Sequence, residues 1–390
     1  MNARSKPYAR TWPSMRITFV FPPDTASGGI KVALIYARTL ARRGYDVRIV
    51  SPPPPPPSRV ERLRRFIRGE GRPLDRPSVN LPIEGTGISH QVLERYRPVV
   101  DGDVADGDVI VATWFETAHW VNALGSSKGA KVHFIQHHEI FDYLPVDRCR
   151  ATYRLPFHKI VIARWLKDTM AAEYGDRTVD LVPNSVDRAQ FYAPPRGKQE
   201  RPTIGLLYSS VPFKGLDVAL EAAQLVARRV PGLRIVAFGS ELPTPRLELP
   251  AGSDFQYRPP QDRIREIYSR CDVWLTASRS EGFNLPALEA MACRTPVVST
   301  RTGWPEEAIV PGQNGLLVDI DDRQALAAAL EWILTRSEER WQELAENAYL
   351  TSSRGSWDES ADLFEQALDH ACRRAAQGEI AGACRCPAAG

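Results

Sequence analysis

The arrangement that most restricts this chain is a short grammar used twice: a β-branched run, a loop, an amphipathic helix, then another β-branched run. In the first half "MRITFVF" reads as a strand and "SGGIKVALIYARTLARRG" as a loop and helix with Val32, Ile35, Tyr36 and Leu40 on one side. Gly44 ends that helix, and "YDVRIVS" is the next strand. Further strands are expected at Val109–Thr113, Lys131–Gln136 and Lys159–Ala163, with "RWLKDTMAAEYG" as a helix. The grammar restarts at "TIGLLYSS", followed by a helix in "KGLDVALEAAQLVARRVPG" and a strand in "LRIVAFGS". It continues through "DRIREIYSRC" (helix), "DVWLTAS" (strand), "NLPALEAMAC" (helix) and "TPVVST" (strand). Such alternation builds open parallel sheets covered by helices, so the chain reads as α/β with two Rossmann-like domains.

The expected boundaries follow from composition. Residues 1–14 are a flexible basic start, 15–190 the first domain, and 191–202, "FYAPPRGKQERP", a charged, proline-bearing linker. Residues 203–350 form the second domain, 351–375 a closing amphipathic helix around Trp357, and 376–390 a flexible tail. Ligands of open α/β sheets sit outside the carboxyl ends of the strands, so two domains facing across a cleft imply a ligand held there.

The stretch "RSEGFNLPALEAM", Arg279–Met291, carries the chemistry. Gly282 permits a tight turn, Asn284 can cap a helix, and Pro286 occupies an early helical position where its missing donor costs nothing. The amides of Phe283, Asn284 and Leu285 are then available to a phosphate or diphosphate. Glu289, in the first turns of that helix, can accept two hydroxyls of a ribose diol, and Glu281 stands in the turn before it. A carboxylate beside a diphosphate is useful only if it holds hydroxyls, which suits a nucleotide sugar.

The longer segment "SRSEGFNLPALEAMACRTPVVSTRTGWPEEAIVPGQNGLLV" resembles the donor-binding signature of retaining glycosyltransferases of family four, which have the two-domain GT-B fold. Their Glu-x7-Glu motif matches Glu281 and Glu289, and Gly303, Glu306 and Asn314–Val318 also match. The resemblance extends to the "SGG" loop at Ser27–Gly29, to Lys214-Gly215 and to "VPNSVD" at Val182–Asp187, and so to nearly the whole chain. It implies that the second domain binds a nucleoside-diphosphate sugar, with Glu289 on the ribose, Glu281 on the transferred sugar and Lys214 on the departing diphosphate. Gly28 and Gly29 would let backbone approach the diphosphate or acceptor, and Lys31 is a further candidate for an anionic acceptor. One of His137 and His138 would touch the donor sugar. Transfer would retain the anomeric configuration, with the leaving phosphate oxygen helping to take the acceptor's proton and no metal or cofactor required.

The chain departs from the family pattern in places. Ser209 and Ser210 stand where an arginine commonly helps hold the diphosphate, leaving Arg279 or an arginine of the first domain to compensate. Asn184-Ser185 replaces an Asn-Gly pair, and Arg294 replaces a glycine. The Asp-x-Asp pairs of "DGDVADGD", Asp101–Asp108, precede a strand at its amino end and read as a solvated loop. The adjacent histidines lack a third ligand at metal-site spacing, so no metal residues are assigned.

Charge is distributed unevenly: residues 1–76 hold 16 Lys/Arg against 5 Asp/Glu, and the remainder 34 against 42. Within the basic part, six prolines at Pro52–Pro57 precede "SRVERLRRFIRGEGR", an amphipathic helix over residues 59–72 that would dock on the first domain or touch an anionic membrane. With no long apolar run and six irregularly spaced cysteines, the expectation is a cytoplasmic protein, peripheral at most to the inner face of the membrane. Cys384 and Cys386 fall in the tail and are not read as a metal site.

The leading expectation is therefore a retaining glycosyltransferase acting on a saccharide-containing or lipid-linked acceptor in cell-surface glycan or glycoconjugate biosynthesis. The alternatives are a sugar-nucleotide epimerase or hydrolase on a similar frame, for which the two glutamates alone do not supply the acids and bases, and a non-catalytic nucleotide- or nucleic-acid-binding protein. Nucleic acid is disfavoured by the acidic remainder and the absence of a zinc finger or aromatic ribonucleoprotein motif.

Overall fold

The computed structural model describes residues 15–23, 28–56 and 81–384. The expected basic start, Ser27, the helix over 59–72 and Cys386 lie outside them. The chain divides into two compact units. The first takes the chain up to Ile162, Leu166–Val182 and everything from Ala361; the second takes Ala163–Trp165 and Pro183–Ser360.

The first unit is built on strands β1 (Arg16–Val20), β2 (Asp46–Ser51), β3 (Ser89–Val92), β4 (Val109–Ala112), β5 (Ala130–Ile135), β6 (His158–Val161) and β7 (Asp180–Leu181). Their order is β3-β2-β1-β4-β5-β6-β7, all pairs parallel. Helices α1 (Gly28–Arg42), α2 (Phe115–Ala123), α3 (Val146–Thr152) and α4 (Arg164–Tyr174) lie in the connections β1–β2, β4–β5, β5–β6 and β6–β7. Strands β4 and β5 are buried along their whole length, as strands covered on both faces must be. Short β3 and β7 and helices α2 and α3 were not anticipated, because two to nine residues give too little periodicity to read.

The second unit repeats the plan with β8 (Thr203–Tyr208), β9 (Arg234–Gly239), β10 (Asp254–Tyr257), β11 (Val273–Thr276), β12 (Val297–Thr300) and β13 (Gly315–Val318) in the order β10-β9-β8-β11-β12-β13, again all parallel. Its helices are α5 (Leu216–Ala227), α6 (Ile264–Ser269), α7 (Leu285–Ala292), α8 (Trp304–Ala308), α9 (Arg323–Leu334) and α10 (Glu338–Ser352). Residues 323–352 form two successive helices, α9 and α10. Ser337 caps the second by accepting the Arg340 amide at 3.3 Å.

Helix α11 (Trp357–Ala376) joins the first unit from Ala361 onward. Phe364 stacks on Tyr36 at 4.5 Å and packs against Phe19 and Phe134, and Arg43 pairs with Asp362 and Glu365. Further along, His370 Nδ1 and His158 Nε2 both lie 2.9 Å from Asp180 Oδ2. This is the one group of three metal-capable side chains found among the described residues. Arg374 donates to His158 Nδ1 at 3.2 Å, which keeps the proton on the Nε2 that faces Asp180.

Two boundary expectations are corrected. The segment 191–202 is fastened to the second unit: Phe191 and Ala193 are buried, and Arg196 donates to Cys271 O at 2.6 Å and Thr295 Oγ1 at 2.9 Å while lying over the Trp341 ring. The tail is docked through residue 384, because Ala381 exchanges backbone bonds with Lys131 and Pro156 and Ala383 N donates to Ser126 O. Composition shows the small residues of such a tail and misses its backbone pairing.

Candidate functional site

In the second unit the crossover direction changes between β8 and β11, which are neighbours in the sheet, and this is where an open α/β sheet leaves a crevice at its carboxyl edge. The segments leaving these two strands carry Lys214 and Glu281. Lys214 ends a 3₁₀ turn, Pro212–Lys214, and Gly215 follows at φ 63°, where a Cβ would lie 2.0 Å from Ala277 O. Only glycine allows the turn to sit this close to the end of β11.

Lys214 Nζ lies 2.9 and 3.0 Å from the two carboxylate oxygens of Glu281, and Ser278 Oγ donates to Oε1 at 2.7 Å. Glu281 and Ser278 are buried, while the Lys214 side chain is partly exposed. Asn284 Nδ2 donates to Thr276 Oγ1 at 2.9 Å on the same wall. A small cavity of about 30 Å³ is lined by Lys214, Thr276, Ser278, Glu281 and Asn284.

The turn into α7 differs in detail from expectation. Its left-handed residue is Asn284, at φ 78°, whose side chain accepts the Ala287 amide at 3.3 Å; Gly282 has no positive φ. Among the described residues the amides of Gly282, Phe283, Asn284 and Leu285, which run through the turn and cap to the first helical residue, meet no acceptor. Gly303, at φ 63°, lies against the turn: a Cβ there would come within 2.9 Å of Glu281 Cβ and of Phe283 O. Trp304 donates its amide to Phe283 O at 2.8 Å and stacks on the Phe283 ring.

Glu289 is half-buried and accepts a 2.7 Å hydrogen bond from the Tyr268 hydroxyl. Burial, and then the neighbouring Glu289 charge, raise Tyr268 well above the usual phenol range, so it is a donor that stays protonated. Ser278 and Tyr268, the partners of the two glutamates, were not singled out as site residues in the sequence: Ser278 is an ordinary serine three residues before Glu281, and Tyr268 is brought in from a separate helix.

The other expected contributors to phosphate binding have partners of their own. Arg279 binds Asp217 and Asp321 and donates to Pro212 O at 2.7 Å, so its guanidinium braces the Lys214 turn. Ser209 accepts the Val211 amide at 3.4 Å, and Ser210 is exposed and bound through its amide and hydroxyl to Glu241, both at 2.6 Å. Glu306 is exposed, and Asn314 is a buried structural residue bonded to Val310 N, Ala308 O and Thr351 Oγ1.

In the first unit, Gly28 and Gly29 open α1, and Gln136, directly after β5, donates to Gly29 O at 2.8 Å. Lys31 is exposed on the first turn. The two histidines that follow Gln136 differ. His138 is buried, its Nε2 2.7 Å from the Tyr174 hydroxyl, and burial pushes its pKa down. The His137 ring is partly exposed, beside Phe141, with Nδ1 3.1 Å from His138 O. Asp101–Asp108 is a loop of internal partners: Asp103 pairs with Arg97, Asp101 and Asp108 accept the amides of Gly125 and Arg16, and Asp106 accepts from Ser127 and Lys128.

Two parallel sheets, each of Rossmann strand order, give the chain the GT-B fold of its structural neighbours. The fold is shared with sucrose-phosphate synthase from Thermosynechococcus elongatus, with a TM-score of 0.71 at 16% identity over 91% of this chain and 98% of that one. It is shared also with Anabaena HepE solved with UDP-glucose, at 0.67 and 16% identity over 91% and 99%. Residues 190–377 match the family model for glycosyl transferases group 1. It is 29% identical over 385 residues to a D-inositol 3-phosphate glycosyltransferase of Acidothermus cellulolyticus, covering 86% of this chain and 84% of the relative. A second protein of that name, from Corynebacterium urealyticum, is 37% identical over 164 residues, a match that spans 38% of each chain.

Proposed function

We propose that the protein is a retaining glycosyltransferase that moves a sugar from a nucleoside-diphosphate sugar to a saccharide-containing or lipid-linked acceptor in glycoconjugate biosynthesis. The observation that carries this reading is the joining of Lys214 and Glu281 at the topological switch point of the second sheet, beside a helix start with unpaired amides. Those amides take the diphosphate, and Lys214 stabilises the charge that grows on it as the glycosidic bond breaks. Glu289, held by Tyr268, takes the ribose hydroxyls. Glu281 is already bound by Lys214 and Ser278, so it acts as an organiser of lysine and sugar and not as a general base.

In the first unit His137 is the histidine assigned to the donor sugar, since the His138 ring is buried against Tyr174. Gly28 and Gly29 keep the backbone roles that the resemblance gives them. The reaction needs no metal in this reading, and activity in excess EDTA checks that point. Among the described residues no helix is long and apolar enough to cross a membrane, and we place the enzyme in the cytoplasm, at most peripheral to the membrane.

UDP-glucose bound to a protein of this fold, and relatives named for an inositol-phosphate acceptor, set the first substrates to try. The purified protein is screened for thermal stabilisation by UDP-, GDP-, ADP- and dTDP-sugars. The stabilising donor is then followed by proton NMR, alone and with an inositol phosphate or a simple glycoside. Retention of the donor's anomeric configuration in the product is expected. An inverted product refutes the retaining mechanism, and release of an epimerised nucleotide sugar supports the epimerase alternative.

A further inference from the structure

The loop that leaves β5 is tied down residue by residue. The buried Tyr153 hydroxyl accepts the Glu139 amide at 2.8 Å and donates to His137 O at 3.3 Å, bridging two peptide groups of the same loop. His138 Nε2 lies 2.7 Å from the Tyr174 hydroxyl. The buried Glu139 carboxylate accepts the Phe115 amide at 3.0 Å, at the start of α2. The Tyr153 ring is itself fixed, stacked on His133 at 5.7 Å with 9° between the planes and packed against Tyr174 at 5.0 Å.

A phenylalanine would fill the same space without a hydroxyl to desolvate, so what the oxygen adds here is its two bonds. Their geometric effect is to set the peptide direction on both sides of His138. That turns the His138 ring inward and leaves the preceding ring, His137, partly exposed at the carboxyl end of β5. We propose that Tyr153 is a positioning residue for His137: its hydroxyl clamps the 137–139 backbone so that the His137 imidazole meets the donor sugar in one orientation. The proposal rests on the assignment of His137 to the donor sugar made above.

Group placement is worth a large factor, since a shift of about 1 Å costs on the order of a hundredfold in rate. Loss of the hydroxyl and its two bonds, with the ring still in place to limit the shift, is expected to cost about tenfold. The test is a cycle of Y153F, H137A and the double variant, measuring kcat and donor KM with the nucleotide sugar selected by the thermal screen. Y153F should lower kcat about tenfold with donor KM unchanged and unfolding still cooperative, H137A should lower kcat further, and the double variant should match H137A. A Y153F enzyme with full turnover, or a double variant about tenfold below H137A, would overturn the proposal, because a purely structural loss adds in either background. If H137A turns over like the parent, the assignment of His137 fails, and that outcome is recognisable without the tyrosine variant. Where H137A is too slow to measure, ¹⁵N-histidine spectra decide. Y153F should shift or broaden the His137 ring signals and leave those of His370 in place, and unchanged His137 signals refute the clamp.

Discussion

Lys214 and Glu281 hold each other through both carboxylate oxygens, at 2.9 and 3.0 Å, with the acid buried and the base partly exposed. The two residues, 67 positions apart in sequence, come from turns that follow adjacent strands, so the pair exists only once the second sheet has formed. The acid keeps the ammonium in place before any phosphate arrives.

Replacing the lysine should therefore damage turnover more than the fold. For Lys214→Ala, kcat is expected to fall by roughly a hundredfold to a thousandfold, the range for removing one preorganised group that meets developing charge. Stability should drop by only about 1 kcal/mol, since the lysine side chain is 27% exposed and Ser278 still donates to the acid. Steady-state kinetics and urea unfolding read the two effects separately.

Glu289 should behave differently, as a binding residue. Glu289→Ala is expected to raise donor KM by about tenfold to a hundredfold, the worth of hydrogen bonds to a charged group, with a smaller change in kcat. Tyr268→Phe removes the hydroxyl that orients the carboxylate and should show the same pattern at lower amplitude.

Gly303 supports the donor turn without carrying a functional group. Gly303→Ala places a Cβ 2.9 Å from Glu281 Cβ at a φ of 63°. A cost of about 1–3 kcal/mol is expected from backbone strain, together with loss of turnover as Glu281 is displaced. Equilibrium unfolding and kcat of the same preparation check both.

The Asp180 cluster that anchors α11 gives a pH dependence of stability. Burial alone would raise Asp180, but hydrogen bonds from His158 and His370 outweigh it and hold the carboxyl below its usual range. Burial lowers His158, against the opposing bond from Asp180. Both folded values lie below the unfolded ones, so both contributions are present at neutral pH. The histidine part fades as pH falls below about 6.5, and the carboxylate part as it falls below about 3.9. Asp180→Asn should flatten the acid-side loss while changing stability at pH 7 by about 1 kcal/mol or less, the carboxylate being 34% exposed. Urea unfolding from pH 3 to pH 8 measures the difference.

What the sequence revealed about this protein follows physical range. The alternation of strands and helices is a local signal, and most long elements were legible within a residue or two, as at Val109–Ala112 and Arg164–Tyr174. Glu281, Glu289 and Lys214 were legible because their residue types sit at fixed offsets from turns and strand ends. Their partners were not: Ser278 is an ordinary strand-end serine, and Tyr268 meets Glu289 only through the packing of α6 on α7. Arg279 was expected to serve phosphate, and sequence could not show that Asp217 and Asp321 converge on it. Arg294 stood out as a non-glycine and indeed has φ 57°. Its strain is offset by a bond to Ala193 O, an ion pair with Glu346 and a stacking contact over Tyr349.

The claim on which the account turns is that the start of α7, with Lys214 and Glu289, grips a nucleoside diphosphate. A crystal soaked with the donor from the thermal screen tests it directly. The predicted density has the diphosphate on the amides of Phe283–Leu285 within hydrogen-bond reach of Lys214, and both ribose hydroxyls on Glu289. A donor bound at full occupancy elsewhere, with the Lys214–Glu281 pair and the Glu289 carboxylate untouched, would contradict it.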